Sequence, residues 1–312
     1  MRASDLHVVY AHFNPARWAR LPQQRAAFEA AMLDSGVSLT SVEVSYGERP
    51  WELEDSAHVN RIRLRGRSIL FIKECALNAA VARLPEARYF CFADGDIEFR
   101  KPSWAMDALH ALQQHDVIQP WSDAYDLGPK DEHVQAHKSF CRVWWQDQPV
   151  VPSGARFWKS DGGPYDYAHS GFAWCWTRQA LEWVGGLIDT GVLGHGDHHM
   201  ALALVGLAEK SFDGRATEGY RRPVLEWQAR ALRHVNRNLG FVWGTIEHSH
   251  HGPKSARGYV SRWDIAAKHR FDPASDLKRN SCGLWELAGN KPELAHAMER
   301  YFHSRLEDAN VI

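Results

Sequence analysis

The chain has 312 residues, with 37 Lys and Arg against 38 Asp and Glu, and 45% of it is hydrophobic. A chain of that length buries roughly three quarters of its unfolded surface, so it needs neither disulfides nor a structural metal to fold, and its average composition excludes a disordered or fibrous protein. Five widely spaced cysteines without a CxxC pair suggest neither a disulfide framework nor a cysteine zinc site.

The N-terminus lacks a signal-peptide core and no window holds eighteen consecutive apolar residues, so the expectation is a cytoplasmic protein without a membrane span. Near-neutral net charge hides an asymmetry. Residues 215–280 carry thirteen Lys or Arg against six acids, a stretch suited to an anionic partner.

In chain order, Leu6 to Phe13 is an apolar run ended by Asn14-Pro15 and predicts a buried strand. Helical spacing follows over residues 17–34, stopped by Ser35-Gly36, and Leu39 to Val44 alternates as a second strand. Residues 69–84 have helical period, and Tyr89 to Ala93 is a strand feeding Asp94. This alternation predicts a doubly wound α/β sheet, whose ligand crevice lies at the carboxyl ends of its strands. Trp104 to Gln114 predicts a helix and Asp116 to Pro120 a strand, while residues 122–169 read as a loop-rich excursion. A strand over residues 171–176 and helices over 178–183, 198–205, 224–236 and 292–306 complete the pattern. No repeat or low-complexity linker marks a domain boundary.

Three polar clusters could carry chemistry. Asp94-Gly95-Asp96 places two carboxylates after a buried strand, hard oxygen ligands suited to Mg²⁺ or Mn²⁺ on a diphosphate, although short acidic loops after strands are also common. Gly194-His195-Gly196-Asp197-His198-His199 leads into a helix, with Asp197 either a capping residue or a base for an incoming hydroxyl. Glu247-His248-Ser249-His250-His251 offers an imidazole to complete a metal sphere, His251 first and then His248 and His250. Lys254, Arg257 and Arg262 follow as cations for a pyrophosphate leaving group. Trp144, Trp145, Trp158, Trp174 and Trp176 offer flat faces for sugars or, one by one, core packing.

Taken in order, VVYAHFNP, VEVSYGERP, IKECALN, YFCFADGDIEF, SGFAWCW, GGLIDTGVLGHGDHHMALAL and HSHHGPKSARGY resemble nucleotide-sugar glycosyltransferases of the GT-A fold, family two-like enzymes of bacteria and phages. The resemblance runs from about Leu6 to about Asp276. It implies a mixed, Rossmann-like sheet flanked by helices, with a loop-rich insertion. The GT-A domain would span 1–275, its nucleotide-binding half about 1–120 and its acceptor half about 121–275, with a helical extension over 276–312.

By the same resemblance, His12, Asn14 and Glu43 would meet the nucleotide, Lys73 and Asn78 would border it, and Asp94 would lie near ribose and metal. Asp96 would bind Mn²⁺ or Mg²⁺ with His251 or His248, and Gly171 and Trp174 would lie under the sugar of a UDP-sugar donor. Lys254 and Arg257 would meet the diphosphate, and Asp197 would be the base. Many relatives read Glu-Asp where this chain has Gly196-Asp197. The QxxRW-type motif of processive synthases is absent, so transfer of a single sugar is expected, with inversion.

Related phage-type enzymes make hydroxymethylated pyrimidines in DNA a candidate acceptor, with a cell-surface glycan or protein as the alternative. Two rivals come from other classes. One is a metal-dependent hydrolase with His198, His199, His250 and His251 around zinc, and the other is a non-catalytic carbohydrate-binding protein.

Overall fold

The computed structural model describes residues 1–151 and 168–310. β1 (Leu6–Phe13) and α1 (Arg20–Asp34) open the chain, followed by β2 (Ser38–Tyr46), β3 (Val59–Gly66), α2 (Lys73–Val81) and β4 (Tyr89–Ala93). β5 (Ile97–Phe99), α3 (Trp104–Ala111), β6 (Val117–Gln119), β7 (Asp123–Leu127), β8 (His133–Lys138) and α4 (Phe140–Trp145) come next. Then follow β9 (Ala173–Thr177), α5 (Arg178–Val184), α6 (Gly196–Leu204), α7 (Glu218–His234), β10 (Leu239–Phe241) and β11 (Thr245–His248). The chain ends through α8 (Arg262–Lys268), α9 (Pro273–Asp276), the hairpin β12 (Leu277–Arg279) and β13 (Trp285–Leu287), and α10 (Pro292–His303).

The main sheet has the order β10-β6-β9-β4-β1-β2-β3. It is mixed: β9 runs antiparallel to both β4 and β6, and the other pairs are parallel. This is the helix-flanked mixed α/β sheet expected from the sequence. Alternate residues of one strand leave on opposite faces, so Leu6, Val8 and Tyr10 of β1 join one apolar core, and Val9 and Ala11 join the other. With both faces covered, the central strands read as continuous apolar runs.

A smaller sheet, β5-β11-β7-β8, stands beyond the carboxyl end of β4. The chain leaves the main sheet at Ala93 and enters the smaller one at Ile97, so Asp94-Gly95-Asp96 is the joint between them. In this second sheet His248 is paired with Ile97 on one side and Asp126 on the other. Strand register alone thus sets Asp126, His248 and the end of the acidic joint in one row.

Several expectations need correction. Residues 122–151 are not a loop-rich excursion but hold β7, β8 and α4. β3 escapes a periodicity reading because Arg61, Arg63 and Arg65 alternate with its buried Ile62 and Leu64, a charged pattern suited to a sheet edge. α2 begins at Lys73, since residues 69–72 are not helical. α7 begins six residues before the expected start, where the Thr217 hydroxyl accepts from the Tyr220 N–H, and it runs through Pro223. The C-terminal segment carries a hairpin as well as a helix. Leu294 and Met298 of α10 are fully buried in the larger core, each worth about 1.5–3 kcal/mol. Trp158 lies outside the described residues.

Candidate active site

The carboxyl ends of β1 and β4, the smaller sheet, the start of α6 and the C-terminal tail enclose a cavity of about 190 Å³. On one wall Asp96, His248 and His251 turn ligand atoms to within 4.8 Å of one another, and all three are buried. His248 Nε2 lies 3.0 Å from His251 Nε2, and each lies 3.7 Å from a different Asp96 oxygen.

Carboxylates behind the rings fix this geometry. His248 Nδ1 is 2.7 Å from Asp126 Oδ1, and His251 Nδ1 bonds Glu307. Each Nδ1 therefore carries its proton toward a carboxylate and both Nε2 atoms turn toward Asp96, where the Arg257 guanidinium also donates to His251 Nε2 at 2.5 Å. Burial and the Arg257 guanidinium push His251 down to about 4, which keeps that ring neutral near pH 7. Two imidazole nitrogens meeting at 3.0 Å beside a buried Asp96 Oδ1 with no hydrogen-bond partner among the described residues form a donor set that fits a divalent cation.

Asp126 is the hub behind this wall. It also takes bonds from His137 Nε2, at 2.6 Å, and from the Lys254 ammonium. Burial opposes its charge, but the His137 and His248 bonds win and hold the carboxyl far below its ordinary value. Asp96 is likewise held low: burial raises it, and Arg25, His248 and His251 outweigh the burial. Arg25 of α1 is 7% exposed, with Nη1 3.6 Å from Asp96 Oδ2. It fits because residue 95 is glycine, where a Cβ would come within 2.6 Å of Arg25 Cδ.

The opposite wall holds Asp197 in the first turn of α6. Its Oδ1 accepts from the His198 N–H at 2.7 Å, and its Oδ2 is turned toward Gly171, where a Cβ would stand only 3.2 Å away. Burial raises the Asp197 carboxyl above its ordinary value, opposed by Lys73 and assisted by Asp94. Lys73 Nζ bonds Asp94 Oδ1 at 3.0 Å and lies 3.8 Å from Glu74 Oε1. Burial disfavours its charge, but Asp94, Glu74 and Asp197 outweigh that and hold it protonated.

The structure thus brings together Lys73, Asp94, Asp96, Gly171, Asp197, His248, His251, Lys254 and Arg257 around one cavity. Asp94 faces Lys73 and stands outside the three-ligand group. Other expected contacts lie elsewhere. His12, Asn14 and Glu43 line a separate recess of about 10 Å³, room for one water. There Glu52 takes the polar atoms of His12 and Asn14, both at 2.9 Å, and its own N–H donates to Glu43. Asn78 is spent on the loop after α5, exchanging hydrogen bonds with the Leu187 backbone at 2.9 and 2.8 Å. Trp174 is a core residue whose indole donates to the Ser170 carbonyl at 2.7 Å.

The four-histidine zinc cluster is not assembled. His199 is tied to Ser211 and Tyr220, and His250 accompanies the Ala309 carbonyl. Arg25, Asp126, Glu74 and Glu307 are the functional candidates that the sequence did not yield. Asp126 had a signal, the alternation of Asp-Ala-Tyr-Asp-Leu, whereas Arg25, Glu74 and Glu307 had none.

No protein-family profile and no curated protein matches the chain. Among solved structures it is similar to the catalytic domain of Drosophila β1,4-galactosyltransferase 7 in complex with xylobiose, at 10% identity, 93% and 96% coverage of the two chains and a TM-score of 0.41. It is also similar to glucosyl-3-phosphoglycerate synthase from Mycobacterium tuberculosis with Mg²⁺ and UDP, at 10% identity, 90% and 86% coverage and a TM-score of 0.41. A third is the inositol-1-phosphate CTP transferase of T. maritima, at 9% identity, 85% and 96% coverage and a TM-score of 0.37. Similarity of this size attaches no activity to the chain, so its chemistry rests on the side chains just described.

Proposed function

We propose that the chain is a metal-dependent glycosyltransferase that moves one sugar from a nucleotide-sugar, a UDP-sugar first, to an acceptor hydroxyl with inversion. The observation that carries this reading is the convergence of Asp96, His248 and His251 across one cavity from Asp197, whose carboxyl is raised. Asp96, His248 and His251 would hold Mn²⁺ or Mg²⁺, which when bound offsets charge on a diphosphate. Lys254 and Arg257 add positive charge on that wall. Asp197 Oδ2 takes the proton of the acceptor hydroxyl, and the glycine at 171 leaves the space in front of it open.

The acceptor proposed first is a hydroxymethylated pyrimidine in DNA, in keeping with the basic residues of 215–280. Several of those are already matched, Arg215 by Asp213 and Asp264 and Arg221 by Glu209, which keeps a surface glycan or protein as the alternative. A metal-dependent hydrolase remains the second reading, because two histidines and a carboxylate also suit Zn²⁺.

Thermal-shift and nucleotide-release measurements with UDP- and GDP-sugars, with and without Mn²⁺, on wild type and Asp96→Asn test the proposal. A metal-dependent response to one donor that disappears in Asp96→Asn is expected. Tight Zn²⁺ binding with no response to any nucleotide would replace it with the hydrolase. Product-anomer NMR tests the displacement, and retained configuration removes Asp197 from the role of base.

A further inference from the structure

Arg262, the first residue of α8, is 6% exposed and lines the same cavity. Of the other cations there, Arg25 is paired with Asp96, Lys73 with Asp94, Lys254 with Asp126 and Arg305 with Glu307, while Arg257 is bonded to His251 and Tyr259. Arg262 has no such carboxylate among the described residues. Its Nε donates instead to His195 Nε2 at 2.9 Å, and its guanidinium lies 5.0 Å over the Tyr259 ring. Burial, and Arg262 itself, hold His195 well below its ordinary value, so this partner is neutral and supplies no charge.

The chain makes room for this cation. Gly194 has φ +86°, and a Cβ there would lie 2.9 Å from Arg262 Nη1 and 3.1 Å from the Phe71 ring. Gly194 therefore admits the guanidinium and His195 orients it. His195 directly precedes α6, whose first turn carries Asp197, so its bond to Arg262 sets that guanidinium at the Asp197 end of the cavity, while Arg25 lies against Asp96 and Arg257 against His251 at the metal wall. A buried charge without a counter-charge is costly, and a guanidinium fork matches phosphate oxygens two at a time.

We infer that the acceptor is a phosphate-bearing hydroxyl compound and that Arg262 grips its phosphate while Asp197 takes the hydroxyl proton. The inference rests on the glycosyl-transfer reading above. In that step the acceptor oxygen bonds to the anomeric carbon, the bond from that carbon to the diphosphate oxygen breaks with its electron pair leaving on the diphosphate, and the acceptor proton ends on Asp197. The phosphate has two sources, a polynucleotide backbone or a small phosphorylated polyol.

The test starts from protein saturated with UDP and Mn²⁺. Absence of a UDP response refutes the glycosyl-transfer reading itself. With that response present, inorganic phosphate is titrated against chloride of equal ionic strength, and the further melting shift is recorded for wild type, Arg262→Lys and Arg262→Gln. The expected result is a saturable rise in the wild type, half-saturation at least tenfold higher in Arg262→Gln and an intermediate value in Arg262→Lys, each scored against that protein's own melting temperature with UDP and Mn²⁺.

No phosphate effect in the wild type, or the same effect in all three proteins, overturns the inference. A hydroxymethylpyrimidine duplex and glycerol 3-phosphate are then added as competitors. Displacement of phosphate by one of them names the source, and displacement by neither overturns the acceptor assignment.

Discussion

Glu74 gives the sharpest quantitative prediction. It is the second residue of α2, is 5% exposed, and its carboxyl fills the space that a side chain at residue 196 would need, since a Cβ on Gly196 would come within 2.6 Å of Glu74 Cδ. Burial pushes this carboxyl up from 4.5 to about 7, Lys73 opposing and Asp197 adding to the rise. Below pH 4.5 both folded and unfolded chains hold the proton. Between there and about 7 the folded protein keeps a proton that the unfolded chain has released, so stability falls as pH rises through that window. A displacement of that size corresponds to about 3 kcal/mol. Glu74→Gln keeps the shape and removes the titration. Urea unfolding of wild type and variant at pH 5 and pH 8 should show the variant gaining up to about 3 kcal/mol on the wild type between the two pH values. An equal difference at both would refute the burial argument for Glu74.

Other consequences follow from the same geometry. Asp126→Ala strips His248 of the partner that orients it and leaves Lys254 without its carboxylate; Mn²⁺ affinity measured by calorimetry should fall about 10–100-fold. Gly95→Ala drives a Cβ into Arg25 and should cost about 1–3 kcal/mol in chemical denaturation. The flexible end of an arginine is the obstacle, so in an Arg25→Ala background the same change should cost about 1 kcal/mol less. Ending the chain after His303 removes Glu307, the partner of His251, and should weaken Mn²⁺ binding about 10–100-fold while leaving far-ultraviolet circular dichroism near that of the full chain.

What was legible in the sequence was whatever one strand or helix decides by itself. β1 and β4 were readable because strands covered on both faces are apolar throughout, and the acidic joint was readable because it follows such a strand. β3 and β8 are edge strands and β7 lies beside β8, and all three mix charge with apolar positions, which blurs the signal that periodicity relies on. The same division runs through the site. Asp96, Asp197, His248 and His251 stand in local clusters and could be named. Arg25, Asp126 and Glu307 reach the cavity only through α1, the β7–β11 pairing and the C-terminal tail. His12, Asn14 and Glu43 show the converse: their side chains are polar and lie in or just after the C-terminal halves of β1 and β2, yet Glu52, nine residues beyond Glu43, gathers their hydrogen bonds.

The tail bears on metal binding because it makes two kinds of contact at once. Glu307 holds His251, while Asp308 accepts from the Ala19 and Arg20 N–H groups at 2.9 Å, at the start of the helix that carries Arg25. His250 adds a contact with the Ala309 carbonyl at 3.1 Å, and Arg20 Nη1 donates to the His250 carbonyl at the same distance. Residues 307–309, the 248–251 turn and α1 are therefore stitched into one unit around Asp96. Docking the tail sets the tautomer and direction of His251, and the donor set needs that direction to converge. A cation that binds Asp96, His248 and His251 consequently favours the docked tail by the free energy of its own binding, and any cost of ordering the tail is subtracted from the affinity measured for the metal.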